Sequence, residues 1–214
     1  MLPVVVALTG ASGAVYGTRL LEILIRQGIN VELVISPAAT QVIRQELEKH
    51  VNLAVFTPDQ LISLNELTYE AIGPGESLFS TGSRVRYHQY QDYFTGIASG
   101  SFKTAGMVIC PCSMGTLSAI AGGLSTNLIQ RAADVHLKER RTLIVVPRET
   151  PLGSIQLENM KRLVDAGAVV LPASPGFYQR PKSIGDLVDF VVARICDHLG
   201  IEVQLVTRWS EPPA

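Results

Sequence analysis

Short apolar runs separated by longer amphipathic stretches set the rhythm of this chain. Val4–Leu8, Val31–Ile35, Met107–Cys110, Leu143–Val146 and Ala168–Leu171 are rich in Val and Ile and do not alternate cleanly, as expected of strands covered on both faces. Between them the period lengthens. Val15–Gln27 sets Leu20, Leu21, Leu24 and Ile25 on one side of a helix. Pro37–His50 carries its proline in the first turn, where a missing N–H costs nothing. Leu128–Arg141 closes on Lys138, Arg140 and Arg141, which suit the negative end of a helix dipole. Ser154–Ala166 and Ser183–Leu199 stop at Gly167 and Gly200, the usual place for a glycine cap. This alternation predicts right-handed crossovers and a doubly wound, mostly parallel α/β sheet. Asn52–Gly106, with Gly73–Gly75 and the aromatic-rich Tyr87–Phe94, predicts a helix, a turn and a short strand excursion. Residues 1–201 read as one domain. Residues 202–214, with Trp209, read as a tail packed on a neighbouring subunit.

Composition narrows the class. Of 214 residues, 47% are hydrophobic and 17% charged, and mean hydropathy is +0.25. No apolar run reaches the ~20 residues that cross a bilayer, so the excess points to a covered sheet and to surface buried between subunits. A net charge of −1 leaves no nucleic-acid or membrane footprint. Three cysteines form no disulfide framework, which fits a reducing compartment and a cytoplasmic protein. Zinc is not expected, because there is no second Cys pair and His50, His88, His136 and His198 are scattered. No Asp-Asp-x-x-Asp pattern occurs to hold a magnesium diphosphate.

The chemistry gathers where apolar runs stop abruptly. Gly10-Ala11-Ser12-Gly13 follows the first strand and opens a helix, an arrangement that offers unpaired N–H groups to a phosphate or is merely a tight turn. Its glycine spacing is not the dinucleotide fingerprint, and Ser36 stands where an acidic residue would hold a ribose. Ser36-Pro37 alone is a helix cap. Cys110 and Cys112 should project to the same side if the strand continues through Pro111, as packed thiols in the simpler reading. Ser113-Met114-Gly115-Thr116 then starts a helix with small residues and free N–H groups. Arg148 and Glu149 emerge from a buried strand at its carboxyl end, where ligands of open parallel sheets bind. Arg140 and Arg141 read as solvated surface charge, and Glu46 is ambiguous. Tyr178, in a Gly-Pro loop, can give a hydroxyl to a phosphate or simply cap the sheet. Tyr93 can present its ring face to a cation.

Thr9–Gly13, Cys110–Ser113, Asn127–Lys138, Pro147–Glu149 and Pro175–Tyr178 together resemble the flavin prenyltransferases of the UbiX type, with the motifs in the same order over nearly the whole chain. The resemblance implies a Rossmann-like flavoprotein three-layer sandwich. It also implies an enzyme that joins the dimethylallyl group of dimethylallyl monophosphate to reduced FMN without metal, with the product, prenylated FMN, serving a UbiD-type decarboxylase. Members are usually homododecamers with flavin sites shared between subunits. By resemblance, Gly10, Ala11, Ser12, Ser36, Ser113, Met114, Gly115, Thr116 and Arg148 hold FMN. Arg131, Lys138, Glu149, Tyr178 and Arg194 engage the prenyl phosphate, and Ser12, Glu46, Tyr93 and Glu149 serve the chemistry. Tyr93 stands where the family often has Trp, and a phenol face stabilises a cation less well than indole.

Two rivals deserve a test. Flavin-dependent cysteine decarboxylases generally use a Pro-Ala-Ser-Ala-Asn-Thr stretch and a catalytic His near the flavin. This chain has Pro111–Thr116 instead and no His before His50. A flavin carrier has no use for the Lys138, Arg148, Glu149, Tyr178 and Arg194 set.

Overall fold

The computed structural model describes residues 1–62 and 84–206. Six strands form one all-parallel sheet: β1 (Val4–Leu8), β2 (Val31–Ile35), β3 (Val85–His88), β4 (Gly106–Cys112), β5 (Leu143–Pro147) and β6 (Val169–Val170), in the order β3-β2-β1-β4-β5-β6. The order reverses between β1 and β4, so helices leave to opposite faces there and open a crevice at the carboxyl edge. α1 (Ala14–Arg26), α2 (Pro37–Leu47), α3 (Asp59–Ile62) and α7 (Ile184–Leu199) cover one face. α4 (Met114–Ala121), α5 (Leu128–Lys138) and α6 (Ser154–Asp165) cover the other. The doubly wound three-layer sandwich expected from the sequence is the fold.

Strand residues feed two cores by turns. Val4, Val6 and Leu8 pack toward α1 and α7, while Val5 and Ala7 pack toward α4 and α5. Both faces are therefore apolar, which is why these strands read as continuous runs rather than alternating ones. Between α1 and α7, Arg19 forms a fork to Asp189, with Nε at 2.8 Å from Oδ1, and also meets Glu22 at 2.9 Å. Arg19 is 5% exposed; leaving such a charge alone would cost about 3–5 kcal/mol. This pair fixes the helix that carries Phe190 and Arg194.

Three expectations change. The region after residue 52 contributes α3 and an edge strand of the main sheet, not an excursion: β3 pairs parallel with β2, Val85 opposite Val31. It is four residues long with half-exposed Val85 and Tyr87, too short and polar to read as a core strand. Cys110 and Cys112 do not share a face. Cys110 packs toward α1 and Cys112 toward α4, because the β4–β5 register shifts between Ile109 and Cys112 and the extra residue turns the strand over. α5 ends at Lys138, and the chain turns through Arg140 with φ 54° before Arg141. In the tail, Val203 and Leu205 pack on the chain's own core. Gly73–Gly75 and Trp209 lie outside the described residues.

Candidate active site

The crevice at the carboxyl edge is tied together by small hydroxyl residues. Buried Thr9 donates its hydroxyl to the Pro111 carbonyl (2.8 Å) and accepts from the Ser113 N–H (2.7 Å), locking the end of β1 to the end of β4. Sequence reasoning gave Thr9 no role; its only signal was a Thr directly after a buried run. Ser36 donates its N–H to the Leu8 carbonyl (3.0 Å), and its Oγ accepts from the Ala39 N–H (3.1 Å), capping α2. Ser113 caps α4 in the same way, from the Thr116 N–H (3.3 Å), and its hydroxyl donates to Thr116 Oγ1 (3.0 Å). An accepting hydroxyl such as Ser36 still has a proton to give a ligand. A Cβ on Gly115 would meet nothing within 4 Å, whereas one on Gly10 would sit 2.6 Å from Ala38 Cβ. The α4 start is open, and Gly10 is required by close packing on α2. Ala11 is buried and Ser12 half-buried in the same turn.

The start of α1 differs from the expectation of a free phosphate cradle. Glu46, reaching across from α2, accepts from the Gly13 N–H (2.9 Å) and the Ala14 N–H (2.8 Å). The carboxylate occupies the positive end of the helix dipole itself, so those N–H groups are already satisfied. Gly13 holds φ +101°, and a Cβ there would meet the Tyr16 ring at 2.9 Å, with Arg148 Cγ 4.0 Å away. Burial raises the Tyr16 phenol pKa, Cys110 adds to the rise and Arg148 opposes it.

Arg148 is the most informative group. It leaves β5 into this crevice, and its Nε is a buried donor with no acceptor among the described residues. An orphaned buried donor on a cation is costly unless a ligand completes it. The residues fit an anionic, polar-edged ligand such as a flavin mononucleotide: hydroxyls at Ser36, Ser113 and Thr116, an open α4 N-terminus, and the waiting guanidinium. Glu149, next in sequence, is exposed and accepts from the Thr150 N–H at 3.0 Å. Cys110 and Cys112 take no part. Burial pushes both thiols up, Cys112 to about 12.

The remaining candidates form two other groups. Along α5, Arg131 donates through Nε to the Ala98 carbonyl (3.0 Å) and pairs with Asp134 (2.8 Å). Lys138 pairs with Glu139 at 2.7 Å, and that hydrogen bond holds the Glu139 carboxyl below its usual range. Tyr93 donates its hydroxyl to the Ser125 carbonyl (3.1 Å) just before α5, leaving 40% of its surface exposed. Lys138 lies about 10 Å further along the helix axis than Arg131, toward the edge away from the crevice. On the opposite face Tyr178 packs edge-on against Phe190, centroids 5.7 Å apart, and Arg194, one turn beyond, pairs with Asp197 (2.8 Å). One chain thus brings together Gly10–Ser12, Ser36, Glu46, Ser113–Thr116, Arg148 and Glu149. It carries Arg131, Lys138 and Tyr93 on one flank and Tyr178 and Arg194 on the other. A cavity of about 600 Å³ at the opposite sheet edge, against Asn30, Glu32 and Arg84, includes none of them.

Known proteins share this sequence and fold. The flavoprotein family matches residues 1–196. The flavin prenyltransferase UbiX of Halalkalibacterium halodurans is 52% identical over 206 residues, 96% of this chain and 92% of the relative. The chain belongs to the UbiX family of flavin prenyltransferases. Among solved structures, AnUbiX (PadA1) in complex with FMN and dimethylallyl pyrophosphate is 36% identical with a TM-score of 0.82, each chain covering 99% of the other. A dodecameric FMN-dependent UbiX-like decarboxylase from Escherichia coli O157:H7 is 35% identical with a TM-score of 0.79, covering 98% of this chain and 100% of that one. The family's enzymatic class and its flavin stand as expected from the sequence.

Proposed function

We propose that this flavin prenyltransferase transfers the dimethylallyl group of dimethylallyl monophosphate to reduced FMN in the cytoplasm, making prenylated FMN for a UbiD-type decarboxylase. The observation that carries the reading is the buried Arg148 Nε, unpartnered in a crevice lined by small hydroxyls. Reduced FMN supplies the electron-rich nitrogen and carbon that take the two new bonds. Ser36, Ser113, Met114, Gly115, Thr116 and Arg148 hold the flavin, with Gly10 and Ala11 beneath it. Arg131, Lys138, Tyr178 and Arg194 take the prenyl phosphate, and Glu149 gives it a proton as it leaves. Cationic groups stabilise the departing anion, while the Tyr93 face shields the allylic cation from water. Ser12 with Glu46 guides the proton at the flavin nitrogen.

These groups lie on separate flanks of one chain, so the site is completed by neighbouring protomers of a homo-oligomer, a dodecamer by likeness to the relative from Escherichia coli. Anaerobic incubation with FMN, a reductant and either dimethylallyl monophosphate or the diphosphate tests the reading. A flavin heavier by one dimethylallyl unit, formed faster from the monophosphate, is expected. No heavier flavin from either donor overturns it. At low FMN and low allylic phosphate, where Arg148→Met and Lys138→Ala are each impaired alone, mixing their subunits should restore part of the turnover because some interfaces regain both side chains.

A further inference from the structure

We propose that Arg141 is a positioning residue that clamps the 98–102 loop against α5 and so builds the surface on which Lys138 meets the allylic phosphate; this rests on the function proposed above. After α5 the chain turns through Arg140 in the left-handed region, closed by the Arg141 N–H to His136 carbonyl bond of 2.8 Å. The turn takes Arg141 off the helical face and lays its half-buried guanidinium across the loop. Nη1 donates to the Phe102 carbonyl (2.6 Å) and Nη2 to the Gly100 carbonyl.

One planar group thus orients two peptide units. In a trans peptide the N–H points opposite to the carbonyl, so drawing these oxygens to Arg141 turns the Ser101 and Lys103 N–H groups away from it. On the loop, Ser99 Oγ and Ser101 Oγ lie 2.9 Å apart. The approach to α5 is very tight: a Cβ on Gly100 would lie 2.2 Å from Glu139 Oε1 and 3.1 Å from Lys138 Nζ. The Lys138 ammonium therefore rests on the loop itself, and any shift of Gly100 moves its surroundings. Other ties along α5 flank the clamp, Arg131 to the Ala98 carbonyl (3.0 Å) and buried His136 Nε2 to the Thr104 hydroxyl (2.8 Å). Of these ties among the described residues, only Arg141 holds two carbonyls at once, and a rigid bidentate fork is what lysine cannot supply.

Arg141→Ala and Arg141→Lys, with Arg140→Asn as a matched loss of charge, test the clamp. Amide hydrogen exchange of residues 99–103 is measured first, without substrate. It should quicken at least tenfold in Arg141→Ala, less in Arg141→Lys and not in Arg140→Asn. In turnover assays, KM for dimethylallyl phosphate should rise at least tenfold in Arg141→Ala while the FMN dissociation constant stays within twofold, and added methylguanidine should lower that KM again. Unchanged exchange overturns the clamp. So does an equal loss of FMN and allyl-phosphate binding, which marks general destabilisation. If the wild type alkylates no flavin, the functional reading falls, and the exchange data alone judge the clamp.

Discussion

The crevice at the carboxyl edge and the cationic flanks are prepared in opposite ways. In the crevice every small group is fixed from within the chain: Thr9 ties two strands, Ser36 and Ser113 cap two helices, and Glu46 fills the start of α1. Arg148 Nε, by contrast, is buried there with no acceptor among the described residues. On the flanks each cation instead has an acid beside it on its own stretch of chain, Arg131 with Asp134, Lys138 with Glu139 and Arg194 with Asp197. Water screens such exposed pairs, so each cation can exchange its acid for another anion. Under the proposed function, the flavin half is built within one chain, while the prenyl half waits for another protomer.

Substitutions can break that contrast. The largest effect belongs to Arg148→Met, which should weaken FMN binding by about 1.5–3 kcal/mol, the value of a hydrogen bond to a charged group. Flavin fluorescence quenching measures it. The ligand-free protein should melt no lower than the wild type, since an orphaned buried donor has gone. Thr9→Val should cost about 1–3 kcal/mol of stability by leaving the Ser113 N–H without its acceptor, read from urea unfolding midpoints; the Pro111 carbonyl keeps the Thr9 N–H at 3.2 Å. Lys138→Ala, by contrast, should move the midpoint by less than about 0.5 kcal/mol while raising KM for the allylic phosphate.

The smallest effect is a pH dependence at His136, whose Nδ1–H donates to the Ala132 carbonyl at 2.7 Å. Burial lowers its pKa; the Ala132 bond opposes this, and Arg141 adds to the lowering. The unfolded chain therefore binds the proton first, at about pH 6.5. Stability present above that pH should be lost as pH falls toward the lower folded value. Urea midpoints at pH 7.5 and 5.5 should separate less in His136→Gln than in the wild type.

What the sequence disclosed follows the same division. Val4–Leu8, Val31–Ile35 and Leu143–Val146 were legible because burial on both faces writes an unbroken apolar run. β3 was not, since an edge strand of four residues with exposed Arg86 carries little pattern. The opposed faces of Cys110 and Cys112 were hidden because a register shift leaves no mark in residue type. Arg141 read as surface charge because its neighbours end a helix, and only the turn at Arg140 redirects it. Glu46 was ambiguous for a related reason: a carboxylate mid-helix gives no hint that its target lies on a different helix.

That carboxylate has a consequence for anyone rebuilding this scaffold. A berth that could have attracted sulfate or inorganic phosphate already has a resident, so stray anions must compete elsewhere. Glu46→Gln would weaken the hold on that berth without changing the side chain's reach. Sensitivity of the variant to buffer anions would reveal how far the native tenant keeps the neighbouring crevice free of small competitors.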